Sequence, residues 1–282
     1  MVFVSFCVQI RDEAKDQSRK TKVQRSMPSL ILERTPTYAI IRLNRPEKLN
    51  ALSRAMLEAL EVELISLQPD EQLRVVILTG EGERAFCAGT DISELSEGSE
   101  GAEIAKRGQK VCDRIENFPV PVIAAINGIV AGGGLELALA CHLRIASTEA
   151  KFSLPETQLG LMPGYGGTQR LTRELGVGRG LEMMLTGRTM TSDEALEFGL
   201  VNRVVPQSAV LSETVSLAEE ISRLSPLSIR ACLKAVIQGL DLPLEDGLKL
   251  ETELFASLFD TADAREGTSA FLEKRKPVFK GW

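Results

Sequence analysis

Histidine is almost missing from this chain, with His142 the only one among 282 residues. A Ser-His-Asp triad would have to be built on that one ring, and a multi-histidine metal site has too few ligands to form. Next to Cys141 and just ahead of an apolar run, His142 reads as a structural residue. The five cysteines, at 7, 87, 112, 141 and 232, are odd in number, scattered and without a C-x-x-C pair, so neither a disulfide framework nor a zinc site is suggested. Such usage fits a reducing compartment. Cys87, lacking a base partner, reads as a packed thiol and not a nucleophile. No apolar run approaches the roughly 20 residues that span a bilayer, and Val2 to Ile10 is too short and lacks the basic flank of a secretory signal. Excess positive charge is absent too. A net charge of −6 provides no global attraction to nucleic acid or to an anionic membrane. There is no G-x-x-x-x-G-K-[ST], and the glycines near 128–134 and 176–180 do not fit G-x-G-x-x-G, which removes the nucleoside-triphosphate and dinucleotide readings.

What the chain does contain is enough apolar residue to bury a large core, at 44% hydrophobic and 26% charged. Leu30 to Glu33 and Tyr38 to Leu43 are β-rich runs separated by Thr35-Pro36-Thr37, the pattern of a hairpin. Ser53 is placed to cap a helix whose Met56, Leu57, Leu60, Leu64 and Leu67 follow the helical period. Arg74 to Thr79 is nearly all apolar, as in a strand buried on both faces. A helix over Glu103 to Asn117, a strand over Pro121 to Ile126, a glycine-led helix over Gly133 to Cys141 and a strand over Leu143 to Ala146 repeat the alternation. Parallel βαβ units follow, and ligands in such sheets gather at the carboxyl ends of strands. The segments after Thr79 and Ile126 are therefore expected side by side. Beyond Ser192 the strand pattern is expected to stop, leaving helices whose apolar stripes at Leu248, Leu254, Phe255, Leu258 and Phe259 need a cover. Ser93 to Gly101 reads as an acidic loop.

Chemistry concentrates between Asn127 and Arg170. Gly132-Gly133-Gly134 opens a helix carrying Glu136 on its first turn, followed by Leu154-Pro155-Glu156 and by Pro163-Gly164-Tyr165-Gly166-Gly167-Thr168-Gln169-Arg170. A glycine run entering a helix can bare N–H groups toward a ligand, and two carboxylates can supply a general acid and a general base. Each piece alone also has a plain structural use: the glycines as a tight turn, Glu136 as a first-turn acid favoured by the helix dipole, Glu156 as a cap. In an apolar pocket Glu156 would hold its proton to higher pH.

Four segments in order resemble the crotonase (enoyl-CoA hydratase/isomerase) superfamily, hydratase-like branch. They are Arg45 to Leu52, Ala85 to Ile92, Pro121 to Asn127 with the glycine triplet and Glu136, and Pro163 to Leu171; Arg265 to Arg275 also matches. The resemblance runs from about Ser29 to the end and implies an α/β fold. That fold is a spiral of ββα turns forming two stacked sheets, with a C-terminal helical trimerisation region. Residues 1–27 would be a disordered N-terminal extension, 28–222 the spiral core and 223–282 the helical region. It further implies an acyl-CoA thioester substrate, no cofactor beyond the coenzyme A carried by that substrate, no metal, and a homo-oligomer, trimer or hexamer. By the same resemblance the backbone N–H groups of Thr90 and Gly133 form an oxyanion hole. Glu136 and Glu156 hold the attacking water, and Ala51, Ala88, Asp91, Ile92 and Gly132 bind substrate. Two positions depart from the family pattern: Thr90 where hydratases usually carry alanine or another small residue, and His142 where aspartate is common.

The implied activity is reversible hydration of a 2-trans-enoyl-CoA to a 3-hydroxyacyl-CoA, in fatty-acid or branched-chain acyl-CoA metabolism. A 3-methylglutaconyl-CoA-type hydratase and an enoyl-CoA isomerase are the alternatives within the family, although isomerases often lack one of the paired glutamates. Outside it stand an RNA-binding role and a catalytically silent assembly protein. The hydratase branch that binds RNA carries a lysine-rich helix after its Ala-Gly-Ala-Asp motif, whereas here Glu94, Glu97, Glu100 and Glu103 precede Lys106, Arg107 and Lys110. No nucleic-acid or membrane partner is expected. The expected location is the cytoplasm for a bacterial protein and the mitochondrial matrix for a eukaryotic one. The basic residues of 11–26 are mixed with acids, which suits a plain extension better than a transit peptide.

Overall fold

The computed structural model describes residues 23–27, 29–94 and 100–282. Its first strand, β1 (Val23–Met27), pairs antiparallel with β2 (Leu30–Arg34). β2 then forms the expected hairpin with β3 (Tyr38–Leu43), in register from Leu30 opposite Leu43 to Arg34 opposite Ala39. β1 corrects one boundary, since the sheet begins inside the segment read as a disordered extension. An edge strand is held by backbone ladder bonds to one neighbour, so the polar run Gln24-Arg25-Ser26 leaves no apolar alternation to read. The remaining expectations for residues 1–22 lie outside the described residues.

Helix α1 (Arg54–Leu67) starts where the sequence places it, with Ser53 Oγ accepting from the Met56 N–H at 3.2 Å. It leads to β4 (Val75–Gly80), buried along its whole length, and to the short β5 (Ala85–Cys87). Helix α2 (Gly101–Glu116) then returns the chain to β6 (Val122–Ile126) and β7 (Ile129–Ala131). Helix α3 (Gly133–Ala140) does the same for β8 (Leu143–Ser147) and β9 (Lys151–Ser153). Each turn of this spiral puts its long strand in one sheet and its short strand in another.

After α4 (Gly167–Leu175) and α5 (Val177–Thr186) come β10 (Met190–Thr191), α6 (Ser192–Glu197) and β11 (Arg203–Val205). Among the described residues the large sheet runs β1-β2-β3-β4-β6-β8-β11 and the small one β10-β9-β7-β5. β11 overturns the expectation that strands end at Ser192, because it adds to β8 in parallel. Three partly exposed residues are too few to show a period.

The large sheet is covered on both faces. Ile40, Ile77, Ile123 and Ile145 point to one side, where α7 (Val210–Ile221) lays Val210 and Ala218 on them. Ile41, Val76, Leu78 and Ala124 point to the other, into the main core with α1, α2 and α3. The last helices, α8 (Pro226–Gly239), α9 (Leu244–Leu258) and α10 (Ala262–Leu272), bury almost nothing, and Leu240, Phe255, Phe259 and Phe271 stay 71%, 62%, 65% and 82% exposed. No helix among the described residues is long and apolar enough to cross a membrane.

Candidate active site

Three neighbouring strands of the small sheet run parallel, β5 beside β7 and β7 beside β9. Their carboxyl ends therefore deliver three segments to one place: Ala88-Gly89-Thr90, Gly132-Gly133-Gly134 with Glu136, and Leu154-Pro155-Glu156. The expected adjacency of the segments after Thr79 and Ile126 holds, and it is the short strands β5 and β7 that complete it. Three-residue strands carry too little pattern to be seen in sequence.

The loop after β5 is fixed from the side. Leu52 N–H donates to Gly89 O at 2.7 Å and Asp91 N–H donates to Leu52 O at 2.9 Å. These two bonds use the groups flanking Thr90 and leave its own N–H out of the pairing. Gly133 is the first residue of α3, so its N–H has no intrahelical acceptor. The two residues sit close together, since a Cβ on Gly133 would lie 3.1 Å from Thr90 Oγ1. Gly134 packs against β5 so tightly that a Cβ there would fall 2.2 Å from Cys87 O. Burial pushes the Cys87 thiol up to about 12, in keeping with a packed, unreactive residue.

Glu136 is 2% exposed, and its Oε1 accepts from the Tyr165 N–H at 2.7 Å and the Gly167 N–H at 2.6 Å. It is held by the Pro163–Gly167 turn and does not cap its own helix. Burial raises its pKa above the ordinary carboxylate value, and the facing N–H groups of Gly167, Tyr165 and Gly164 act against that rise. The turn depends on Gly166, whose φ of +110 favours glycine. It is clamped by Arg170, which donates to Tyr165 O at 3.1 Å and, through Nε and Nη2, to the two oxygens of Glu116 at 3.1 and 2.7 Å.

Glu156 stands in a different environment. It begins the short 3-10 helix Glu156–Leu159, and its Oε2 is buried with no hydrogen-bond partner in the protein. Burial, helped by the charge of Glu136, pushes it up to about 7. Both carboxylates line one cavity of about 760 Å³, together with Thr90, Gly133 and apolar Leu161 and Met162.

Ala88, Ile92 and Gly132 also line that cavity. Ala51 and Asp91 are not among its lining residues; they are tied to each other by Arg45, which donates to Ala51 O at 2.9 Å and to Asp91 Oδ2 at 2.8 Å. Hydrogen bonds from Ser93, together with that guanidinium, hold the Asp91 carboxyl below its ordinary value. Arg45, Tyr165 and Arg170 were not picked out from sequence as site residues, although all three lie inside the matching motifs. His142 is structural as expected: Nδ1 accepts from the Val122 N–H at 2.8 Å, so Nε2 carries the proton toward Glu116 O at 3.0 Å. No cluster of three or more His, Cys, Asp or Glu side chains placed to hold a metal occurs among the described residues.

Comparison with known proteins identifies the family and the fold. The family described as enoyl-CoA hydratase/isomerase matches residues 33–282. A short-chain-enoyl-CoA hydratase of Clostridium acetobutylicum is 40% identical over 250 residues, covering 88% of this chain and 96% of its own. A 2,3-dehydroadipyl-CoA hydratase of Escherichia coli is 40% identical over 255 residues, covering 90% and 100%. The crystal structure of an enoyl-CoA hydratase from Bacillus anthracis superposes with a TM-score of 0.87 at 42% identity, covering 90% of this chain and 100% of that one. With a family match over residues 33–282 and relatives about 40% identical over most of its length, the chain belongs to the enoyl-CoA hydratase/isomerase family.

Proposed function

We propose that this protein hydrates 2-trans-enoyl-CoA thioesters reversibly to 3-hydroxyacyl-CoA, with Glu136 and Glu156 as its base and acid. The thioester oxygen accepts from the N–H groups of Thr90 and Gly133, which stabilise the enolate as charge develops. Water oxygen bonds to C3 while Glu136 takes a water proton. Glu156 delivers its proton to C2. Between turnovers Glu136 releases its proton and Glu156 regains one, so the net change is addition of one water. The observation that carries this assignment is the contrast between the carboxylates. Glu136 is aimed by backbone donors, whereas Glu156 has a bare buried oxygen and keeps a proton to about pH 7.

Ala88, Ile92 and Gly132 shape the thioester subsite, and Ala51 and Asp91 act through the Arg45 strap that holds the Thr90 loop. The chemistry uses carboxylates and N–H groups alone, with coenzyme A as part of the substrate. The exposed apolar faces of α8–α10 are assigned to contacts between copies in a trimer or hexamer. Cys87, Cys112 and Cys141 are buried and unpaired, which suits a reducing compartment, the cytoplasm of a bacterium or the mitochondrial matrix of a eukaryote.

An isomerase moves one proton between C2 and C4 and has no water to activate, so paired carboxylates in one cavity favour hydration. A substrate panel tests this. Loss of enoyl absorbance is expected with 2-butenoyl-CoA and 3-methylglutaconyl-CoA is the comparison; conversion of a 3-enoyl-CoA to its 2-enoyl isomer without hydration would overturn the assignment.

A further inference from the structure

Tyr165 is 4% exposed and fits a slot that only glycine could leave open. A Cβ on Gly108 of α2 would fall 2.0 Å from its ring Cδ1, and one on Gly133 would fall 3.0 Å from Cε2. Its hydroxyl accepts from Thr90 Oγ1 at 3.1 Å, and its backbone is fixed at both ends by Glu136 and Arg170. The side chain that departs from the family pattern at position 90 therefore has a partner.

The place of this pair gives it a use. A second cavity, of about 620 Å³, meets the catalytic one at Thr90, Ile104 and Tyr165. Beyond those three residues it is lined by Leu52 and Leu57 and by the charged Arg54, Glu94, Glu100, Glu103 and Arg107. Within the catalytic cavity an acyl chain whose C1 oxygen meets the Thr90 and Gly133 N–H groups starts beside the hydroxyl pair. To extend further in that direction it has to displace a ring backed by a helix.

We infer that the Thr90–Tyr165 pair is the end wall of the acyl subsite and sets the enzyme's preference for short acyl chains. The inference rests on the placement of the thioester proposed above. Its physical basis is steric. A buried ring held from both sides excludes a chain longer than the subsite, and chain that lacks a pocket costs about tenfold or more in kcat/KM.

The test is the ratio of kcat/KM for 2-dodecenoyl-CoA to that for 2-butenoyl-CoA, measured on the full chain. Wild type should favour 2-butenoyl-CoA by about tenfold or more, Tyr165→Ala should raise the ratio by about tenfold or more, and Tyr165→Phe, which keeps the ring, should shift it by less than about threefold. A general loss of activity leaves a ratio taken within one protein unmoved. If circular dichroism shows Tyr165→Ala unfolded, Tyr165→Leu carries the same comparison. Equal use of both substrates by wild type, or an unchanged ratio in a folded Tyr165→Ala or Tyr165→Leu, overturns the wall. Full activity of Glu136→Gln on 2-butenoyl-CoA would instead overturn the carboxylate assignment, and the two failures are thereby separated.

Discussion

The Gly167 N–H lies 2.6 Å from Glu136 Oε1, so the first residue of α4 aims the carboxylate on the first turn of α3. This contact tolerates no side chain. A Cβ on residue 167 would fall 2.9 Å from both Cγ and Oε1 of Glu136 and 3.1 Å from Pro163 Cβ. Gly167→Ala is expected to leave the fold intact by circular dichroism and to lower kcat on 2-butenoyl-CoA by about 10²-fold, the cost of moving a catalytic group by about 1 Å. An active variant with the wild-type kcat would mean that Glu136 can do its work from another position.

Glu156 ties activity to pH. It must be protonated to deliver a proton to C2, so with a pKa of about 7 hydration kcat/KM should fall as pH rises through about 7. Stability carries the same sign. Folding raises the carboxyl from its ordinary 4.5 to about 7, so its contribution is complete below the unfolded value and is lost as pH rises through the folded one. Glu156→Gln should therefore raise Tm more at about pH 8 than at about pH 5. A Tm difference that does not change with pH would show an unperturbed carboxyl.

Thr90 separates backbone from side chain. Removing its N–H as Thr90→Pro should cost on the order of 10²–10³ in kcat, whereas Thr90→Ala keeps the donor and should retain far more activity. If both variants are folded and equally slow on 2-butenoyl-CoA, the hydroxyl is the needed group and the oxyanion role of the N–H is wrong.

Sedimentation at micromolar concentration should give a trimer or hexamer, because α9 leaves Phe255 and Phe259 in edge contact with each other and otherwise open. Charging that face with Phe255→Glu should shift the distribution toward smaller species. A fully active wild-type monomer would assign these helices another use.

Much of this was legible in the sequence, for reasons that differ by residue. The long strands β4 and β6 are buried on both faces and announce themselves as apolar runs, and α1 shows both its period and its Ser53 cap. Glu136, Glu156, Thr90 and Gly133 stand out as candidates in the sequence because the motifs that hold them are local, and the fold brings all four to one cavity. The short strands β5, β7 and β9 were missed because three residues hold no period, yet they are what bring the segments together. Arg45 and Arg170 escaped for another reason. Their function is to bridge segments far apart in sequence, Arg45 to Asp91 and Arg170 to Glu116, and nothing in a local motif names the partner. Tyr165 belongs to the same class, since its role depends on the glycine at 108 and the hydroxyl at 90.

Steady-state hydration of 2-butenoyl-CoA by Glu136→Gln and Glu156→Gln tests the paired carboxylates most directly. Each replacement keeps the shape of the side chain and removes its ability to exchange a proton. The expected result is a fall in kcat of about 10²–10⁴ in each variant, with the far-ultraviolet spectrum of the folded protein unchanged. A near-wild-type kcat in either variant would show that the substituted carboxylate takes no part in moving the water's protons.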